Sequence, residues 1–360
     1  MRLGGSRWGW YVDPVPTWAP RVADDQRVWR EYWLAIEDGD CVRGGYALKP
    51  QEWRIRGRSE WVTDWQGPVS EGAISRKYNS LGLRLVRDML KKRPLLYSWG
   101  HGSDEEPLVQ MLRRMGWLMH PTPFALRVVD SYRFLRFNRH LRGTPERRLF
   151  LDGLALSGLG ALGLRAMHAA LETRGALRRR RLSGATSEVV PELGPWADEL
   201  WDRVKDEYAA IAVRDARTLN TLMPPGWDPH EWSAPIRLRV SRADRTLGWI
   251  AVSSAQMRGD ARFGELNVGT LVDYLAHPDD AGEVVAAGFE HLRELGVDIV
   301  IANQSHPAWL RAFEDNGFVL VPHRRLFAGS PALREALAPF EETRRGLFLT
   351  NMDGHGPMGL

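Results

Sequence analysis

Cysteine is nearly missing: Cys41 is the only one in 360 residues. A single thiol cannot close an intramolecular disulfide. A secreted, bridge-dependent scaffold is therefore excluded, a cytoplasmic setting is expected, and Cys41 reads as a small core residue. The start, "MRLGGSRWGWYVDPVP", has no apolar core of signal-peptide length, so export is not expected. No clean apolar run of about 20 residues occurs, because "LFLDGLALSGLGALGLRAMHAAL" is broken by Asp152 and Arg165. Zinc spacing, a supported Ser-His-Asp arrangement and a dinucleotide glycine fingerprint are all lacking. The terminal "MDGHG" has one Asp and one His, too few for a metal, so none is expected. A net charge of +4 makes no case for nucleic acid.

What is present is a globular composition, 44% hydrophobic and 26% charged, in a chain long enough for two cores. Tryptophan is abundant at sixteen, and these rings read mainly as core filling. From Glu31 to Val129 strands and helices alternate. "EYWLAIEDGD" reads as a strand entering an Asp-Gly turn, with "CVRGGYALK" as its hairpin partner. Trp53, Ile55, Trp61 and Val62 are spaced for further strands. Apolar residues from Tyr78 to Leu90 recur at helical spacing up to Pro94, which predicts a helix over 75–92. "LLYSW" is a short strand, "EEPLVQMLRRMGW" a helix opened by Pro107 and closed by Gly116, and "FALRVVD" a strand.

The middle changes character. Arg133, Arg136, Arg139, Arg142, Arg147 and Arg148 precede the broken apolar run, and Arg178–Arg181 follow it. Two readings stand side by side: a packed connecting helix with a solvated basic end, or peripheral contact of 143–185 with an anionic membrane. Beyond Pro195, "WADELWDRVKDEYAAIAVRDARTLNTLM" carries a long helical pattern. "IRLRVS" and "TLGWIAVSSAQM" form a hairpin, and "GELNVGTLVDYLA" includes a third strand. Glu283–Leu295 is a helix, "VDIVIAN" a buried strand and "PAWLRAFEDNGF" a helix, and "RRLFAGS" and "RGLFLTNMD" are closing strands. The two halves share an element order, which suggests tandem duplication. The expected division is an aromatic-rich arm (1–30), a first unit (31–132), a basic and apolar helical linker (133–194) and a second unit (195–360).

These signatures resemble the Gcn5-related acetyltransferase superfamily, present twice, and more narrowly the acyltransferase-like proteins of polysaccharide and cell-envelope gene clusters. "VRDARTLNTLMPP", "HPAWLRAFEDNGF" and "LFLTNMDGHGP" carry the resemblance in the second half. It implies an α/β fold with a mixed sheet, repeated as two acetyltransferase-like domains, and use of acetyl-CoA or another acyl-CoA. The family's phosphate loop, Arg/Gln-x-x-Gly-x-Gly/Ala, falls on Lys77-Tyr78-Asn79-Ser80-Leu81-Gly82, where Ser80 replaces one glycine. With Val69 on the preceding strand and Arg76 beside the frame, Lys77, Ser80, Leu81 and Gly82 form the expected cofactor-binding set. Helix-start N–H groups would face the pyrophosphate.

In the second half the same place reads "LAHPDDAGEVV". Asp279, Asp280 and Glu283 should repel a phosphate, so that unit is expected to lack a cofactor and to wall an acceptor cleft instead. Acyl transfer needs a base for the attacking amine. The resemblance points to a strand carboxylate: Glu71 first, Asp64 second, with His101 as an acceptor-side or base residue. The family's fourth-helix tyrosine is replaced by Leu112 and Phe313. Tyr97 and Tyr132 are its candidate substitutes.

The expected reaction is acyl transfer to an amine, with a small molecule or glycan as acceptor, such as an amino sugar or an envelope polysaccharide precursor. Two rivals keep the fold. One transfers amino acids from aminoacyl-tRNA to peptidoglycan precursors, using the arginine clusters. The other is a non-catalytic scaffold in envelope synthesis.

Overall fold

The computed structural model describes residues 18–37, 39, 41–101, 105–179, 184–225, 234–354 and 356–358. Residues 1–17 of the aromatic arm, Arg180, Arg181 and His355 lie outside the described residues, as do the side chains of His101, Arg178, Arg179 and His323. The architecture is mixed α/β. Its strands are β1 (Glu31–Glu37), β2 (Cys41–Ile55), β3 (Arg58–Ser70), β4 (Leu96–His101), β5 (Leu118–Val128), β6 (Ala185–Val190), β7 (Ala210–Ala212), β8 (Ile236–Arg242), β9 (Arg245–Gln256), β10 (Asn267–Ala276), β11 (Ile299–Asn303) and β12 (Val319–Gly329). The helices used below are α1 (Leu81–Lys92), α2 (Pro107–Arg114), α3 (Ser131–Phe137), α4 (Pro145–Leu156), α5 (Leu159–Arg179), α6 (Pro195–Val204), α7 (Ala216–Leu222), α8 (Ala281–Glu294) and α9 (Pro307–Asp315).

Two compact units result, and neither is continuous in sequence. Unit 1 comprises Met1–Pro121, Ala209–Val213 and Arg325–Arg344; unit 2 comprises Thr122–Tyr208, Arg214–Arg324 and Arg345–Leu360.

In unit 1 the strand order is β1-β2-β3-β4-β12, with β7 on the far end of β2. β2 and β3 are joined through Arg56 (φ 50°) and Gly57 (φ 79°), two left-handed residues whose turn matches strand twist. Tyr46, Leu48 and Trp65 point to one face, where Leu81, Leu85, Val86 and Met89 of α1 and Leu112 of α2 pack on them. Unit 2 has the order β5-β11-β10-β9-β8-β6, with β10 and β11 parallel. Its core includes Val128, Phe134, Leu135, Val268, Ile299 and Ile301.

Several expectations change. The helix predicted over 75–92 begins only at Leu81, and the preceding residues form two 3-10 turns, Glu71–Ala73 and Arg76–Tyr78. Ser70 Oγ accepts from Gly72 N (3.2 Å), a local bond that competes with helix. The pattern over 196–223 splits into α6, β7 and α7. Asp215 accepts from Thr218 N (2.8 Å) and starts a new helix, while β7 pairs with Trp53–Ile55 of β2. "RGLFLTNMD" is no strand: Thr350 and Asp353 close a capping box around a 3-10 turn. Cys41 is exposed, because it opens β2 just after the hairpin turn.

The deepest polar feature of unit 2 is an ionic cluster. Arg214, 1% exposed, donates to Asp273 (3.1 Å) and Asp353 (2.7 Å), and Thr350 Oγ1 donates to Asp273 (2.8 Å). Burial pushes the Asp273 carboxyl up to about 6, and the Asp353 charge adds to this against the pull of Arg214. Around the cluster, Tyr274, Trp309 and Phe348 stack with centroids 4.5–5.9 Å apart.

Arg214→Met leaves two buried carboxylates without their cation, and the expected loss is about 3–5 kcal/mol by urea unfolding. A loss below about 1 kcal/mol would mean that the cluster is not dry. His306 caps the start of α9, and burial drops its pKa from the ordinary imidazole value to about 4. The unfolded chain therefore binds its proton first, and stability should fall as pH drops through that window, by about 1.4 kcal/mol per unit. The stability gap between wild type and His306→Gln should shift with that slope. A gap constant between pH 7 and 4.5 would refute the assignment.

Candidate active site

The site begins with a break in a ladder. β3 pairs with β2 from Arg58 to Gln66 and again at Val69 and Ser70, but the register slips between Gly45 and Ala47. Gly67 (φ 49°) and Pro68 are the inserted residues. A glycine takes the left-handed position freely, and proline at a bulge forfeits no ladder bond. On its other edge β3 runs parallel to β4 at only two positions, Thr63↔Leu96 and Asp64↔Tyr97. The other edge of β4 pairs with β12 from Tyr97 to His101. The parallel pair is thus a fork, closed at Asp64 and open from Trp65 onward.

The open arm of β3 leads through the two 3-10 turns into α1. Gly44 of β2 lets that helix approach: a Cβ there would sit 2.7 Å from Val69 O and 3.3 Å from Leu81 and Leu85. Gly72 is needed for the turns, since its Cβ would lie 2.4 Å from Tyr78 O. Ser80 occupies the N-cap without a side-chain hydrogen bond, and the first turn of α1 contains no acid. A Cβ on Gly82 would meet only Ser70 Oγ, at 4.0 Å. The helix start therefore offers N–H groups, a favourable dipole and open space to an anion.

Charged side chains surround this start. Lys77 is exposed, with Nζ 3.8 Å from Glu37 and 4.9 Å above the Tyr78 ring, and Arg76 is exposed too. Glu37 also accepts from Tyr78 Oη (2.5 Å) and Arg43 Nε (3.0 Å), and these bonds, the tyrosine's foremost, hold its carboxyl below the usual range. Glu71 is bound by Arg43 (3.1 Å) at the loop's entrance. Val69 and Leu81 turn buried side chains into the unit 1 core, so only their backbones face the loop.

Asp64 lies on the opposite sheet face, 1% exposed at the closed end of the fork. Gln66 Nε2 donates to it (2.6 Å), and Lys49, fully buried, is its cross-strand neighbour. Arg30 stands nearby. Burial lowers its pKa, while Tyr32 and Asp64 pull the other way. Lys77, Ser80 and Gly82 thus come together with Arg76 and Glu71 at the helix start, and Asp64 stands apart from them. His101 ends β4 with its backbone opposite Leu326. Tyr97 is buried between Trp53 and Phe327, and Tyr132 is exposed on α3 of unit 2.

Reading the sequence missed Arg43, Lys49 and Gln66. Lys49 and Gln51 alternate with Leu48 and Pro50 inside one 15-residue strand, which is a readable sign of a polar face.

Unit 2 has a second parallel pair, registered from Val268↔Ile299 to Leu271↔Ala302, with an irregularity between Leu271 and Asp273. Its surroundings differ. Arg214, Asp273, Thr350 and Asp353 form the buried cluster beside β10, and the turn Asn351–Asp353 packs against that strand. At the start of α8, Asp280 is bound by Arg245 (2.6 Å) and Glu283 by Arg242 (3.4 Å). Acids already hold this helix start. No group of three or more potential metal ligands occurs among the described residues.

No family description matches the sequence, and no curated protein matches it. Among solved structures, Saccharomyces cerevisiae N-myristoyltransferase with bound myristoyl-CoA is similar at 9% identity and TM-score 0.47, over 81% of this chain and 63% of that one. A GCN5-related N-acetyltransferase from Anabaena variabilis ATCC 29413 is similar at 10% identity and TM-score 0.48, over 82% and 62%. A conserved protein of unknown function from Enterococcus faecalis V583, a probable N-acyltransferase, is similar at 11% identity and TM-score 0.47, over 86% and 64%. The chain spans less than two thirds of the length of these three structures. Likeness of this degree carries no argument about reaction or substrate.

Gly72→Ala is expected to cost about 1–3 kcal/mol, since backbone must move to admit the methyl group. Proteolysis within 70–80 should quicken accordingly. Gly82→Ala, with open space around it, should leave stability unchanged or raise it by up to about 1 kcal/mol. Equal losses in both variants would refute this account of the loop.

Proposed function

We propose that the chain is an acyl-CoA-dependent N-acyltransferase and that unit 1 holds the cofactor. The observation that carries this reading is the fork of β3 and β4 beside a helix start free of acid and side-chain cap. N–H groups of Leu81 and Gly82 would meet the pyrophosphate, with Lys77 and Arg76 adding charge. The pantetheine arm would lie along the open part of β3, where Val69 contributes backbone groups. Bound there, the acyl-CoA supplies an activated thioester.

Asp64 is the general base in this reading. It stands where the fork closes, whereas Glu71 is engaged by Arg43 and holds that side chain beside the loop. As the amine nitrogen attacks, its proton passes to Asp64, the C–N bond forms and the C–S bond breaks. Leu112 occupies the place of the expected tyrosine and is buried in the core, so the departing thiolate takes its proton from water. The two forked pairs support a tandem origin. The finer expectation, an amino sugar or envelope glycan precursor as acceptor, rests on the sequence resemblance.

Leu112 also favours a second reading, in which unit 1 binds the cofactor without turnover. Calorimetric titration with acetyl-CoA and longer acyl-CoAs separates the two. Arg76→Glu with Lys77→Glu should weaken binding about tenfold or more. Asp64→Asn should leave binding intact and lower turnover on an amine panel by about a hundredfold or more. Absence of any acyl-CoA binding sinks both readings, and binding with no acylated product on any amine leaves only the second.

A further inference from the structure

Helices α4 and α5 are apolar on two faces, and only one is covered. Inward, Leu151, Leu154, Ala155 and Leu164 join the core of Val128, Phe134 and Leu135. His168 Nδ1 lies 2.8 Å from Gly317 O on the same side. Outward stand Leu149, Phe150, Leu156, Leu159 and Leu162, 62–77% exposed. A surface helix ordinarily turns polar residues outward, and contiguous exposed apolar surface of this kind marks a contact.

Charge indicates what makes that contact. Gly153–Leu171 contains no acidic residue. At 100° per residue, Arg165 flanks Leu162 on α5, whereas Arg147 and Arg148 fall on the arc of Leu151, Leu154 and Ala155, in the exposed first turn of α4, and Arg148 Nε donates to Arg142 O (3.0 Å). The two acids on α4 are already engaged. Asp152 is bound by Arg136 and Arg142, both at 2.6 Å, and Glu146 bonds to the helix start and Thr144. Long basic side chains beside apolar ones suit an interface between hydrocarbon and phosphate headgroups.

Shape adds a limit. No single helix among the described residues is long and apolar enough to cross a membrane, and the α4–α5 pair is bent by 78° at its break. Gly158 (φ 74°) makes that corner, with Leu156 and Leu159 on either side of it. A second copy on this face would set arginines against arginines across a two-fold axis.

We propose that the outward face of α4–α5 docks the protein on an anionic lipid bilayer, peripherally and without crossing it. Leu149, Phe150, Leu156, Leu159 and Leu162 enter the headgroup boundary, and Arg165, with the exposed Arg147 at the start of α4, meets lipid phosphates. Docking is independent of the acyl-transfer reading, since no residue is shared with the unit 1 loop.

Flotation of the full chain with vesicles tests it, using phosphatidylcholine alone or with about 30% phosphatidylserine. Wild type should float with the anionic vesicles, at least about tenfold less with neutral ones, and be released by about 0.5 M salt. Leu156→Glu with Leu159→Glu should abolish flotation while circular dichroism stays unchanged. Should that pair misfold, Leu162→Gln and the reversal Arg147→Glu with Arg165→Glu serve instead, the latter lowering partitioning about tenfold. The proposal is overturned if wild type stays in solution with anionic vesicles, or if these variants float like wild type. It also fails if the leucine pair instead dissolves a lipid-free dimer, or if bound protein resists alkaline carbonate.

Discussion

A parallel strand pair cannot keep its ladder and open a slot at the same place, and unit 1 meets that constraint with two residues. Gly67 and Pro68, which share the place opposite Tyr46 of β2, coincide with the stretch where β3 leaves β4. Much else in the unit follows from this. The freed end of β3 carries the chain into the serine-rich turns, the turns aim α1, and Gly44 lets α1 lie close enough to bury Leu81 and Leu85. Backbone groups released from a ladder must find other partners. A fork is therefore a place where extended main chain is available for recognition.

The two units treat the same arrangement in opposite ways. In unit 1 the helix start next to the fork is free of acids, and basic residues stand beside it. In unit 2, Asp280 and Glu283 occupy the helix start and arginines hold them there, while a buried ionic cluster stands beside β10. Burying Arg214 with two carboxylates is costly unless every partner is satisfied. Such a cluster suits a fixed internal scaffold better than a surface that must admit and release ligands.

Local features were legible in the sequence and distant ones were not. The hairpin of β1 and β2, the body of α1 and the buried β11 follow from turn residues and apolar period. The first six residues of the helix predicted from Ser75 were misread: Ser75 is extended and Arg76–Tyr78 close a 3-10 turn, so the α-helix starts only after Ser80. The frame Lys77, Ser80, Gly82 could be read because it is contiguous. Its neighbours could not: Glu37 reaches Tyr78 from 41 residues away, and Arg214 meets Asp353 across 139. Nor does a residue list separate a buried Lys49 from a solvated one. That distinction appears only when β2 runs on past Lys49 to Ile55.

Unit 1 takes Ala209–Val213 and Arg325–Arg344 from far along the chain. On the ribosome, which releases a chain from its N-terminus, this sets an order of events. When residue 121 emerges, β4 still lacks the β12 segment that covers its second edge. More than two hundred residues must follow before that edge is closed, a delay long compared with most elementary folding steps. The unit that holds the candidate site is begun first, yet it is not complete until Arg344 has emerged. Until then, its half-built sheet presents an open strand to any partner able to pair with it.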